Sequence, residues 1–127
     1  EEQEYLQKIE ILKTAKNKKI EVHVRTIFLQ GLFFRPFDKY MEKIDPLKKY
    51  RRKLKVISLD SEIDIESLAL KYPLQKDYID KVIFGVHDLK QFSKNIKIIN
   101  SDTYIPDDKI EEIIVKEKDL LKPYNWK

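Results

Sequence analysis

Apolar and polar positions alternate most clearly in residues 20–34, IEVHVRTIFLQGLFF. Ile20, Val22 and Val24 fall on one side and Glu21, His23 and Arg25 on the other, so the pattern predicts a β-strand over 20–28. The run continues through Gln30, Gly31 and Leu32 to Arg35 and Pro36, where a regular strand is interrupted because proline brings no N–H to a ladder. A second, shorter apolar run, 81–84, ends at Gly85 and reads as a strand buried on both faces. A strand ending in a glycine turn at its carboxyl end is where an α/β protein usually places a ligand. The two glycines are therefore expected to be neighbours in one sheet.

Helical spacing fills the rest. In 1–17 the apolar residues Tyr5, Leu6, Ile9, Ile11, Leu12 and Ala15 predict an amphipathic helix, closed by the polar link 17–19. Residues 32–45 carry Phe33, Phe34, Phe37 and Tyr40 and predict a loop over the strand end, with a short helical turn over 37–44. Pro46, capped by Asp45, is expected to open a helix whose buried stripe is Leu47, Tyr50, Leu54 and Ile57. After the break at 60–62, a helix starting near Asp64 presents Ile65, Leu68, Ala69 and Tyr72 and is ended or bent by Pro73. Asp88 is a good N-cap for a helix burying Leu89, Phe92, Ile96 and Ile99. Pro106, Asp107 and Asp108 open a last helix burying Ile110, Ile113 and Ile114, and 120–126 reads as an extended tail. Helix, link and strand in this order predict α/β architecture.

Composition narrows the classes. The 127 residues suffice for one domain. There is no cysteine, which removes disulfides and thiolate metal sites and fits a reducing compartment, so a cytoplasmic location is expected. The net charge of +4 is spread along the chain. Its densest basic run, 48–55, reads as a solvated helix face, with nucleic-acid binding as the sharper alternative. No apolar run is long enough to span a bilayer, and the acidic start is unlike a signal peptide. The chain begins without methionine and is expected to be a piece of something longer.

Local motifs give no catalytic constellation. His23 and His87 have no partner at metal-ligand spacing, and neither a phosphate-cradling loop nor a dinucleotide glycine triplet is present. No serine sits in a nucleophile elbow.

The residues nevertheless resemble a family. Residues 24–32, VRTIFLQGL, look like the seventh strand and following loop of bacterial aldo/keto reductases. Residues 65–70, 79–86 and 89–96 resemble that family's seventh helix, eighth strand and eighth helix, and the terminal PYNW is similar to an ending found in one bacterial branch. The FLQGL run and the G-x5-Q-x3-N spacing occur together at the expected separation. The resemblance covers nearly the whole chain in the family's order, and corresponds to the final third of a family member.

It implies the carboxyl-terminal portion of a (β/α)8 TIM barrel, two parallel strands with flanking helices, with 100–127 as the terminal helix and tail. It also implies NADP or NAD as cofactor and a small carbonyl substrate in the full-length protein. The family's catalytic aspartate, tyrosine, lysine and histidine come from earlier strands and none maps here, so no catalytic residue is assigned, and the isolated chain is expected to be inactive and prone to self-association. Neither Tyr5, Tyr40 nor His23 fills the gap. The cofactor side does map. Thr26 stands where the family often has a serine on the pyrophosphate, Gly31 where a small residue lets backbone approach, and Gln30 between them. Gly85, Val86 and His87 occupy the turn before the last barrel helix, and Gln91 and Asn95 fall where a glutamine and an asparagine touch adenine. The departure is at His87 and Asp88, where the family usually carries an arginine or lysine followed by serine or threonine to grip the extra ribose phosphate; Asp88 repels one. Ordinary readings stand beside these: Thr26 and Gly31 shaping a strand end, Gln91 and Asn95 facing solvent, His87 in a surface turn, Arg25 in an ion pair and Trp126 tethering the tail. Two other classes are a non-enzymatic α/β module using the two glycine turns and a basic nucleic-acid-binding domain centred on 48–55.

Overall fold

A computed structural model describes residues 2–36 and 39–127. Phe37 and the Tyr40 side chain, both named among the loop aromatics, lie outside what is described. The chain is mixed α/β and mostly helical. Helix α1 (Glu2–Asn17) leads to strand β1 (His23–Arg25); helices α2 (Lys48–Ser61) and α3 (Ile65–Leu74) precede strand β2 (Lys81–Ile83); α4 (Leu89–Ile99) and the short α5 (Asp107–Glu111) follow. β1 and β2 pair in parallel, His23 opposite Lys81, Val24 opposite Val82 and Arg25 opposite Ile83. The carboxyl ends of both strands therefore lie at one edge of the sheet.

Helix ends follow local rules with unusual residues. α1 closes with Lys19 in the left-handed region (φ 59°), with Ile20 N–H bonding the Ala15 carbonyl and Lys19 N–H that of Lys16. This is the Schellman arrangement, normally built on glycine. α2 ends the same way on Glu62 (φ 56°), with Ile63 N–H on Ser58 and Glu62 N–H on Leu59. Asp64 caps α3 by accepting from Ser67 N–H at 2.7 Å, as its position predicts.

The core has two parts. Leu32, Ile44, Leu47 and Tyr50 form one, against which Leu29, Ile113, Val115, Leu120, Leu121 and Trp126 pack. Ile57, Leu68 and Ile105 form the other, with Leu54, Ile63, Tyr72, Ile110 and Ile113 around them. The expected α2 stripe is thus the one used.

Several expectations are corrected. The first strand is three residues, not nine, because Thr26 turns left-handed directly after Arg25. The second ends at Ile83. Pro46 lies inside a 3-10 helix, Lys39–Leu47, rather than opening α2, and Asp45 pairs with Lys48 instead of capping. Pro73 is accommodated one residue before α3 ends. α5 stops after five residues, and Ile105, just ahead of it, is fully buried while Ile110, Ile113 and Ile114 are only partly so. The tail is not extended: it forms two 3-10 turns, Lys118–Leu121 and Pro123–Trp126, tied down by Trp126 Nε1 donating to the Leu120 carbonyl at 2.8 Å. The largest correction concerns α4, where Leu89, Phe92 and Ile96 are exposed and Asn95 and Ile98 are buried. An apolar stripe is buried only where another element covers it, and the neighbouring α3 packs on the other side.

Candidate functional site: two turns at the carboxyl end of the sheet

The turn after β1 holds an unusual concentration of left-handed backbone. Thr26 (φ 63°), Leu29 (φ 42°), Gln30 (φ 51°) and Gly31 (φ 80°) all have positive φ within six residues. For an L-residue this conformation costs about 1–2 kcal/mol, and a β-branched threonine is among the least suited to it. Short-range bonds hold the turn: Leu29 N–H on the Thr26 carbonyl at 3.0 Å and Gly31 N–H on that of Phe28 at 2.8 Å. A Cβ on Gly31 would meet Arg35 Nε at 3.6 Å, an ordinary contact, so φ is what calls for glycine here.

The turn after β2 is different. Gly85 does not have positive φ, and a Cβ built on it meets nothing within 4 Å. Neither conformation nor neighbouring atoms require a glycine there. Phe84 reaches the first turn, its ring 6.3 Å from that of Phe28, which in turn lies 5.7 Å from Phe34. These edge-on pairs join the two turns, so Thr26, Gln30 and Gly31 share one edge of the sheet with Gly85, Val86 and His87.

Helix α4 rises from the second turn with a variant of the capping box, in which the Gln91 side chain reaches the N–H of His87 rather than that of the N-cap Asp88. Asp88 accepts from Gln91 N–H at 2.7 Å, and Gln91 Oε1 accepts from His87 N–H at 2.8 Å. The Gln91 amide oxygen is thereby committed to the backbone, a role that the four-residue spacing alone did not reveal. Leu89 and Lys90 retain the first-turn N–H groups that a helix leaves unpaired. Asn95, one turn further, is fully buried, and neither of its amide atoms has a hydrogen-bond partner. That corrects its reading as a solvent-facing residue. A buried amide left in this state costs about 1–3 kcal/mol.

The opposite end of the sheet is bonded tightly. Asp80 accepts from Val22 N–H at 2.8 Å and pairs with Lys16, while its own N–H reaches the Val22 carbonyl at 2.9 Å. The Lys16 ammonium, and next the Val22 N–H, hold the Asp80 carboxyl below its ordinary range. Glu21 bonds both Lys81 (2.6 Å) and His23 (3.2 Å) on the exposed face.

A third cluster, not singled out from sequence, sits in the segment feeding β2. Lys76 bonds Asp107 at 2.8 Å and Glu111 at 2.6 Å, and its Nζ lies 4.7 Å from the centre of the Tyr72 ring. Gln75 clamps the same strand of chain, donating to Asp107 and to the Ile105 carbonyl and accepting from Ile105 N–H. Burial opposes the charge on Lys76, but the two carboxylates prevail and hold its pKa above the usual lysine value. Burial, followed by the contact with Tyr5, pushes the Tyr72 phenol up as well. A proton-donating tyrosine needs the reverse shift, so this tyrosine–lysine pair is a structural tie. The i, i+4 spacing of Tyr72 and Lys76 is the signal that announces it.

Three of the six cations in the basic run 48–55 are engaged: Lys48 pairs with Asp45, Lys49 bonds Glu117 at 2.7 Å, and Arg51 donates to the Arg35 carbonyl at 2.6 Å, while Arg52, Lys53 and Lys55 are exposed. Among the described residues no group of three or more acidic or histidine side chains is arranged to hold a metal, and no helix is long and apolar enough to cross a membrane. Comparison with family models, curated proteins and solved structures finds no match for this chain.

Proposed function

We propose that the chain is the carboxyl-terminal part of an NAD(P)-dependent aldo/keto reductase barrel and supplies its dinucleotide contacts. The observation that carries this reading is the meeting of two turns at the carboxyl edge of a parallel pair. One holds three non-glycine residues, Thr26, Leu29 and Gln30, in left-handed backbone, and the other carries a glycine that its surroundings do not demand. Strain of this kind concentrates at ligand-binding positions, and the carboxyl edge of parallel strands is where such ligands bind.

The residues fit the ligand in chemical terms. The Thr26 hydroxyl, the open space at Gly85 and the Leu89 and Lys90 N–H groups suit a pyrophosphate. The Asn95 amide, which the resemblance places at adenine, is fully buried, so a purine edge reaches it only if its cover moves. When bound, the dinucleotide would supply hydride for carbonyl reduction; this chain's residues hold and orient it. Asp88, already engaged as an N-cap, adds a negative charge beside the turn. The dinucleotide lacking the extra ribose phosphate is therefore expected to bind more tightly than the phosphorylated one.

Fluorescence titration of the chain with NADH and NADPH, followed by addition of a small aldehyde, tests this. Saturable binding without aldehyde-dependent oxidation is expected. Turnover would show that the chain carries its own catalytic set, and absence of any saturable binding would remove the dinucleotide reading. Stoichiometric binding with no turnover even when this chain is joined to barrel strands carrying the four catalytic residues would favour a non-enzymatic module.

A further inference from the structure

Helix α2 turns a basic face away from the core. Its 14 residues carry six cations and one acid, Asp60, which follows the last apolar residue of that face. Tyr50, Ile57 and Ser58 are buried on the inner side. Arg52, Val56 and Leu59, at i, i+4 and i+7, fall on one line along the outer side and are exposed, Val56 at 55% and Leu59 at 65%. Lys53 and Lys55 are exposed on the two flanks of that line.

The charge of this face is not spent within the chain. Lys48 and Lys49 have partners in Asp45 and Glu117, but the side chains of Arg52, Lys53 and Lys55 enter no ion pair among the described residues. A helix face that only meets water is polar along its length. Here the outer line passes from a cation to two aliphatic side chains that stay more than half exposed.

The cations call for an anionic partner, and the aliphatic pair decides which one. Duplex phosphates are gripped by cations together with hydroxyl and amide side chains, and single strands add stacking on aromatic rings. This face presents none of these groups, because Tyr50 and Ser58 are buried. An anionic bilayer offers charged headgroups to the cations and, just beneath them, acyl chains to Val56 and Leu59.

From these observations we infer that the outer face of α2 docks, lying flat, on an anionic lipid surface. Arg52, Lys53 and Lys55 meet the headgroups, and Val56 and Leu59 enter the boundary with the acyl chains. The contact is peripheral and reversible, since free cations and only two aliphatic side chains hold it. It does not rest on the dinucleotide reading.

Co-sedimentation of the full chain with vesicles tests this. Saturable binding to vesicles of phosphatidylserine and phosphatidylcholine in equal parts is expected at low salt, falling steeply as salt is raised, with none to phosphatidylcholine alone. Reversing the three free cations together (Arg52→Glu, Lys53→Glu and Lys55→Glu) is expected to weaken binding by about a hundredfold or more. Val56→Ser with Leu59→Ser is expected to weaken it by about tenfold, and both variants should retain the helical circular dichroism. Should either fail to fold, methyl spectra of the wild-type chain on bicelles of the same lipids replace it, with perturbations expected to centre on Val56 and Leu59. No binding to the mixed vesicles at low salt, equal binding to phosphatidylcholine, binding unchanged in either variant, or methyl perturbations centred elsewhere would each overturn the assignment. Binding to a generic DNA duplex by a chain that leaves the vesicles alone would overturn it in favour of a nucleic-acid interface.

Discussion

The two ends of the small parallel sheet are built on opposite principles. At the amino end Asp80 stitches β2 to β1 and to α1, and Lys76 locks the approach to β2 onto α5. Polar groups there find partners, and charges are matched. At the carboxyl end the backbone is bent into left-handed conformations, a glycine stands in open space, and a buried amide has no partner. Barrel proteins divide their two faces in this way between stability and ligand binding. The contrast teaches that the two edges differ in what is left locally unfavourable rather than in any cluster of reactive side chains, and the proposed reading puts the dinucleotide at the less satisfied edge.

Substitutions can sharpen or break that contrast. The largest effect is expected at the amino end: Lys76→Ala leaves Asp107 and Glu111 facing each other and should lower unfolding free energy by roughly 2–3 kcal/mol in urea denaturation. At the carboxyl end the sign reverses. Asn95→Leu removes the orphaned amide at similar volume and is expected to raise stability by about 1–3 kcal/mol. A loss of stability instead would mean the amide is satisfied, and the contrast would fail there.

The two glycines should separate cleanly. Gly31→Ala forces a side chain into positive φ and is expected to cost about 1 kcal/mol. Gly85→Ala should leave melting within about 0.5 kcal/mol of the parent, because its Cβ meets nothing, and reduce affinity for the dinucleotide only.

The smallest effect is in the acid response. Asp80 is held below its ordinary value of 3.8, chiefly by Lys16. A carboxylate lowered in the folded state stabilises the fold above its unfolded pKa, and that contribution disappears as pH falls through the folded value. Melting temperature should therefore fall on acidification below about pH 4, less steeply in Asp80→Asn and less steeply in high salt, since the pair is solvent-screened.

Much of this was legible in the sequence where the signal is local. Alternation around Val22 and Val24 located β1, the caps at Asp64 and Asp88 fixed two helix starts, and the stripe of α2 was buried as its spacing required. What escaped was set by tertiary context. Thr26 gives no hint that it turns left-handed, so strand length was overestimated. The stripe of α4 gives amphipathicity but not the identity of the covering element, and α3 took the side bearing Asn95 and Ile98. Ile105 lies between elements, where periodicity has nothing to say. At the candidate site, Gly85 stands two residues past β2 as expected, whereas Gly31 lies six residues past the end of β1, inside the turn rather than at the strand tip. Their different physical demands, one of conformation and one of empty space, appear only in three dimensions.

The most direct test of the carboxyl-edge account is an amide-detected NMR titration of the chain with NAD. Saturable shifts confined to residues 26–31 and 85–91, moving together with one dissociation constant, are predicted. Shifts at only one of the two turns, or centred on the Asp80 and Lys76 clusters instead, would contradict it.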